Sequence, residues 1–282
     1  MPVLPAADVS TYLARIGLDC PPPCNAGGLD MVQRAHRLSI GFENLDVVLG
    51  RGIAIDGAAI FAKLVTGARG GYCFEHNALF GEMLGAMGFA NRALLGRVWM
   101  GAAEGQVPPR THTLRLVDLG DEPWIADAGF GASYVPPLPL VDGASADTPD
   151  GAAHRLRRVG LATGEWLVER AGPASATDGR AQNHDGWQPQ YSFDTSEVAA
   201  IDLEMSNHWT STKPGTRFTG GPIVSIVLPD GFASLNGRRL SVYAGGRSDV
   251  TEIASAQVWQ AVLADLFRIE LSVAEMAALG FF

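Results

Sequence analysis

The hydrophobic period of this chain changes at Gly88, and that change limits the fold more than any single motif. Before it, apolar residues recur at helical spacing. Val9, Tyr12, Leu13 and Ile16 stop at Gly17, and Ile60, Phe61, Leu64 and Val65 follow Asp56 as an N-cap and stop at Gly67. Leu79, Phe80, Met83, Leu84 and Met87 make a further face that ends before Gly88. After Gly88 the period falls from about 3.6 to about 2, with β-rich runs at Ala93–Met100, His112–Leu119, Glu122–Gly129 and Trp166–Arg170. Asp142–Ala153 and Ala171–Gly186, rich in small and polar residues, read as long loops. Strands resume near Gly221 with "PIVSIVLP" and a hairpin whose Asn236-Gly237 pair suits a type I′ turn. Two helices close the chain, the second opened by Ser272 and Glu275 as a capping box. The sequence therefore predicts an α+β, multidomain protein: a helical part over residues 1–90, a β-rich part over 91–200 and a mixed part over 201–282.

At 282 residues the chain has length for more than one packed unit, and 47% hydrophobic against 18% charged residues describes an ordinary globular core. The net charge of −9, with no Lys/Arg run, argues against non-specific binding to nucleic acid or to a membrane surface. An anionic ligand needs a local basic patch. The opening "MPVLPAADVS" lacks a basic and then apolar leader, and no apolar stretch reaches membrane-spanning length, so a cytoplasmic location is expected. Three cysteines, Cys20, Cys24 and Cys73, make no disulfide framework. "CPPPC" resembles a ligand pair, but metal sites take about four ligands and no second pair is visible, so no metal is expected. The glycine pairs, Gly245-Gly246 among them, lack the lysine and hydroxyl residue of a phosphate loop.

The chemistry concentrates in "ARGGYCFEHN", which places Cys73 between a glycine pair and a helix start. A thiol becomes a nucleophile where a helix N-terminus, an imidazolium or both stabilise its thiolate. The segment "THTLRLVDLGDEPWIADAGF" can supply the imidazole. With Gly120-Asp121 as a hairpin turn, Leu119 faces Glu122, Leu114 faces Asp127 and His112 faces Gly129. His112 and Asp127 are then diagonal neighbours on one face, whereas a slip of one residue would separate them. An ion pair on an apolar face is costly unless hydrogen-bonded or functional. Each element alone reads more often as packing; together they read equally as packing and as a Cys-His-Asp triad.

These motifs carry a resemblance to the arylamine N-acetyltransferase family. The matching pieces are "YLARIG", "FENLD" at Phe42–Asp46, "RGGYCFEHN" at Arg69–Asn77, "THT" around His112, "DAGFG" at Asp127–Gly131 and "NHWTSTKPGTRF" at Asn207–Phe218, in family order over most of the chain. The resemblance implies a helical domain, a β-barrel domain and an α/β lid around a core like that of cysteine proteases. It implies ping-pong transfer of acetyl from acetyl-coenzyme A, through an acetyl-cysteine, to an arylamine, arylhydrazine or hydrazine, as in xenobiotic metabolism. Cys73 is then the nucleophile, His112 its base and Asp127 the group that orients the imidazole. Phe42, Tyr72 and Phe130 are implied to line the acceptor pocket, and Thr111, Gly131, Asn207, Trp209 and Thr212 to approach the coenzyme. A homodimer is compatible with the sequence, which by itself does not fix the oligomeric state. Glu43 and Arg69 are implied to form a buried ion pair, and Cys73 is expected to be thiolate at neutral pH.

The chain departs from the family pattern at Gly41, where proline is usual, and at Gly215 and Arg217, where small hydroxyl residues are common. Lys213 and Arg217 offer the positive charge that an acidic protein needs for a polyanionic coenzyme. An amide synthase that closes a macrolactam and a Cys-His-Asp thioester hydrolase share the triad and are the alternative readings.

Overall fold

The computed structural model describes residues 6–161, 164–181, 186–280 and 282. Part of the N-terminal stretch and part of the loop expected at Ala171–Gly186 lie outside the described residues. The first helices form where the period of about 3.6 residues places them. α1 (Ala6–Ile16) buries Val9, Tyr12, Leu13 and Ile16 and stops at Gly17, whose φ is +76°. α2 (Ala26–Ser39) starts where the Asn25 side chain accepts from Gly28 N–H. A two-residue strand, β1 (Phe42–Glu43), leads into the short α3 (Leu45–Val48). α4 (Gly57–Phe61) is capped by Asp56 as expected and continues as a π-helical turn, Ala62–Thr66. α5 (Cys73–Ala86) packs Leu79, Phe80, Met83 and Leu84 against α1 and α2.

A directed chain of hydrogen bonds fixes α5 from behind. His76 Nε2–H can only donate to the Gly41 carbonyl (3.1 Å), which leaves His76 Nδ1 to accept from His36 Nε2–H (2.7 Å). His36 Nδ1 then accepts from the Tyr12 hydroxyl at 2.9 Å. All three side chains are fully buried. Burial pushes both imidazoles down, His76 to about 3, so both are neutral in the folded protein.

The second region is an antiparallel sheet curled into a nearly closed barrel. Its strands are β2 (Ala90–Val98), β3 (Arg110–Asp118), β4 (Pro123–Ala126), β5 (Leu138–Pro139), β6 (Ser145–Asp147), β7 (Ala153–Leu161), β8 (Gly164–Ala171) and β9 (Gln188–Phe193), in the spatial order β5-β4-β3-β2-β9-β8-β7-β6. Leu94, Leu114, Ile125, Leu138, Leu156, Val168 and Phe193 fill it. Two strands carry no usable period. β7 turns His154 inward beside Leu156, and in β9 Gln190, Tyr191, Ser192 and Phe193 are all buried. Inside the expected Asp142–Ala153 loop, the short β6 pairs with β7. The β3–β4 register follows the expectation, Arg115 opposite Ala126 and Asp118 opposite Pro123, but the connection is the longer loop Leu119–Glu122 rather than a two-residue turn.

The last region opens with α6 (Ala200–Thr212), which buries only Asn207 and Thr210 and so has no apolar stripe to announce it. Strands β10 (Ile223–Leu228), β11 (Gly231–Asn236), β12 (Arg239–Ala244) and β13 (Arg247–Glu252) follow, in a sheet ordered β1-β10-β11-β12-β13. α7 (Ala256–Asp265) covers that sheet with Trp259 and Leu263, and α8 (Val273–Leu279) carries the expected Ser272/Glu275 box. Asn236 pairs with Arg239, so the hairpin's central residues are Gly237 and Arg238, and only Gly237 has positive φ (+59°). A type I′ turn needs both positive, so the expectation is corrected to the type II′ pattern. β1 pairs Phe42 with Ser225, joining the helical region to the last sheet.

Candidate active site

Cys73 is the first residue of α5, after the extended N-cap Tyr72. Tyr72 N–H is taken by Glu75 Oε2 at 3.0 Å, while the first-turn N–H groups lie at the sulfur's end of the helix. The glycine pair before it is a packing requirement: a Cβ at Gly70 would stand 2.1 Å from Gly41 O. Gly129 is also pressed on Cys73, since its Cβ would lie 2.9 Å from Cys73 Cα. Cys73 is 3% exposed, with Sγ 3.6 Å from Thr111 O.

His112 comes from β3, opposite Gly96 of β2, and its Nε2 lies 2.7 Å from Asp127 Oδ2. A carboxylate facing Nε2 makes that nitrogen the donor and leaves the Nδ1 lone pair able to accept a proton. Asp127 Oδ1 accepts from Asn77 Nδ2 (3.0 Å) and from Gly129 N–H (2.9 Å). Burial pushes the Asp127 carboxyl up, but the charge on His112 and these hydrogen bonds outweigh it and hold the group below the usual carboxylate range. Asn77 also donates to Thr113 O (2.6 Å) and accepts from Ala128 N–H (3.0 Å), and Gln33 Oε1 accepts Asp127 N–H (2.7 Å). Neither Asn77 nor Gln33 was singled out from the sequence. The available signal was spacing, because Asn77 stands one helical turn after Cys73 on the same face.

Cys73 and His112 open into one cavity of about 340 Å³. Phe42, Phe130, Thr111, Gly131 and Trp209 line it, as do Met100 and Phe218, which the sequence reading did not select. Tyr72, Asn207 and Thr212 are not on its wall. Tyr72 is fully buried and its hydroxyl is bonded to Asn207 Oδ1, while Asn207 Nδ2 donates to Ile53 O (3.0 Å), so the pair holds α6 against α5. Thr212 Oγ1 donates to His208 O of its own helix (2.6 Å). Lys213 is exposed and off the wall, but Arg217 is on it, as is Arg180. Both arginines donate to Asp178 Oδ2, each at 2.9 Å. Cys20 and Cys24 are exposed free thiols, and the described residues contain no group of three or more His, Cys, Asp or Glu able to hold a metal.

A family model described as N-acetyltransferase matches residues 27–276. The chain is 38% identical over 272 residues to the arylamine N-acetyltransferase of Mycolicibacterium smegmatis, covering 94% of this chain and 93% of that one. The chain belongs to the arylamine N-acetyltransferase family. The family member from Escherichia coli is 38% identical over 221 residues, 78% of this chain and 73% of its own. Among solved family structures, that from Salmonella typhimurium matches with a TM-score of 0.87 at 32% identity, covering 97% of this chain and 98% of that one. The Mycobacterium marinum arylamine N-acetyltransferase in complex with CoA matches with a TM-score of 0.82 at 29% identity, covering 96% and 94%.

The structure qualifies the thiolate expected of this N-acetyltransferase. Burial pushes the Cys73 thiol up, and the Asp127 charge adds to that; backbone N–H groups, Phe74's first among them, act the other way. A lone thiol here therefore titrates above the ordinary value of about 8.5. The thiolate expected at neutral pH requires a cation near the sulfur, the role expected of His112, which lines the same cavity. Iodoacetamide at pH 7 is expected to modify Cys73 selectively over Cys20 and Cys24. In His112→Ala the rate at Cys73 should climb only above about pH 8.5, the free-thiol range. A wild-type rate at pH 7 in that variant would show that the helix terminus alone stabilises the anion.

Proposed function

We propose that this protein transfers acetyl from acetyl-coenzyme A, through an acetyl-Cys73 thioester, to the nitrogen of arylamines, arylhydrazines or hydrazines. The observation that supports the reading is the meeting, in one aromatic-lined cavity, of a cysteine at a helix start with a histidine held by Asp127. In the first half-reaction His112 Nδ1 takes the Cys73 proton and the sulfur adds to the thioester carbonyl. The bond to the coenzyme sulfur then breaks, and His112 returns the proton to that sulfur. In the second, the amine nitrogen adds to the acetyl-Cys73 carbonyl and gives a proton to His112. The C–S bond breaks to leave amide and thiolate, and the resting pair is restored.

Phe42, Phe130 and Phe218 provide the apolar wall for an aromatic acceptor. Thr111, Gly131 and Trp209 stand where the acyl carrier enters, and Arg180 with Arg217 supplies the local positive charge that its phosphates require. A crevice of about 690 Å³ shares Met100 and Arg180 with the cavity and gives room for the rest of the coenzyme. Tyr72 and Asn207 serve by holding α6 in place. The catalytic groups come from a helical unit (1–90) and a barrel unit (91–200), covered by a third (201–282). The reading carries with it a cytoplasmic location. No helix among the described residues is long and apolar enough to cross a membrane.

The test mixes purified protein with acetyl-coenzyme A, with and without an arylamine. Without amine, free coenzyme A is expected to stop at one equivalent per enzyme, the acetyl staying on Cys73; with amine, release is expected to continue in step with the acetylated amine. Equal release without amine would mean a hydrolase, and little release in either case would mean a binding protein or a carrier-specific amide synthase.

A further inference from the structure

A second cavity, of about 650 Å³, opens along α5 between the N-cap of α4, strands β2 and β3 and the first turns of α6. None of its lining residues lines the Cys73 cavity. It exists because α5 presents Ala78, Gly81 and Gly85 on that face, and these cannot fill the gap to the neighbouring elements. Ile55, Phe74, Phe89 and Leu203 give it an apolar lining, and its size is that of an ordinary small-molecule site, about 300–1,000 Å³.

Its charge is lopsided. Among the described residues that line it, three are acidic, Asp56, Glu82 and Glu204, and one is basic, Arg115. The guanidinium lies flat against α5, where a Cβ at Gly81 would come within 2.3 Å of its Cζ, and its Nε already donates to Asn91 Oδ1 at 2.8 Å. Asp56 Oδ1 accepts Ala59 N–H at 3.0 Å as the cap of α4. Burial pushes the Glu82 carboxyl up, Arg115 opposes that, and Asp56 adds to it to a lesser extent, so Asp56 and Glu82 feel each other's charge. A cation beside them removes that repulsion, whereas an anion would meet three carboxylates.

We propose that this cavity binds a small amphipathic organic cation of the aralkylammonium class, its ammonium among Asp56, Glu82 and Glu204 and its ring against Phe74 and Phe89. Such a ligand differs from the proposed acceptor in one property. Acetyl transfer needs a nitrogen with a free lone pair, as in a weakly basic arylamine, while this cavity selects a base strong enough to be protonated at pH 7. The two cavities thus sort amines by basicity.

The probe is phenethylammonium, titrated calorimetrically into protein whose Cys73 has been carboxamidomethylated, so that binding is read apart from catalysis and apart from the proposed reaction. A saturable one-site isotherm is expected. The neutral isostere 2-phenylethanol should bind at least about tenfold more weakly, and Glu82→Gln should weaken phenethylammonium by about tenfold as well. Gly85→Leu should abolish binding. A Cβ there meets only Asn91 Nδ2, at 3.8 Å, and leucine favours the helix over glycine, so the variant keeps its fold while its side chain enters the cavity. Absence of saturable heat at millimolar probe, equal affinity for the alcohol, or wild-type affinity in both variants overturns the proposal.

Discussion

Asp127→Asn is expected to lower the rate of Cys73 acetylation on the order of 10⁴-fold while leaving the β3–β4 hairpin folded. The reason lies in how the carboxylate is held. Oδ1 is fixed by two donors, Asn77 Nδ2 and Gly129 N–H, so a replacing amide keeps its oxygen on that side and turns its NH₂ toward His112 Nε2. His112 must then accept at Nε2 and carry its proton on Nδ1, the nitrogen that should take the thiol proton. Cys73→Ala and His112→Ala should each abolish transfer. Combining Cys73→Ala with Asp127→Asn should be no worse than Cys73→Ala alone, because residues that act as a unit lose their effect together. The measurement is single-turnover release of coenzyme A without amine. If Asp127→Asn acetylates at the wild-type rate and melts normally, Asp127 is a structural carboxylate and the reaction runs on Cys73 and His112 alone.

Arg69→Ala should cost about 3–5 kcal/mol of stability, a fall in melting temperature of about 10 °C, and yield little soluble protein. The ion pair expected from the sequence is present, with Arg69 Nη2 2.7 Å from Glu43 Oε1, and it is part of a larger cluster. Arg69 also meets Asp46 at 3.2 Å, and Lys63 is 2.7 Å from both Asp46 and Glu75. Glu43 is fully buried, and its Oε2 accepts Leu45 N–H at 2.6 Å, so removing Arg69 strands a charge at the start of α3. The same cluster contains a control. Arg51 bonds Glu275 at 2.6 Å, but its side chain is 48% exposed, and Arg51→Ala should cost no more than about 1 kcal/mol. Thermal unfolding of the two variants separates the cases. A wild-type melting temperature for Arg69→Ala would mean that Lys63 neutralises Glu43 and Asp46 unaided.

Local chemistry was legible in the sequence because its causes are local. Helical spacing located α1, α4 and α5, the Ser272/Glu275 box located the start of α8, and "GGYC" placed a thiol at a helix N-terminus. The His112–Asp127 partnership also followed from sequence, because alternation along two adjacent strands leaves one register that buries Leu114 and Ile125 together. What failed locally were elements with no period: β7 with an inward histidine, β9 buried at consecutive positions, and α6 with hardly any buried face. Tertiary structure alone decided which motif residues reach the cavity. Tyr72 and Asn207 belong to two strong motifs yet are spent on each other, whereas Met100 and Arg180, outside every motif, are on the wall. The physical reason is distance along the chain. Side-chain direction is set within a turn or a strand, but the pairing of Phe42 with Ser225 and the joining of Asp178 to Arg217 are selected by the packing of the whole molecule.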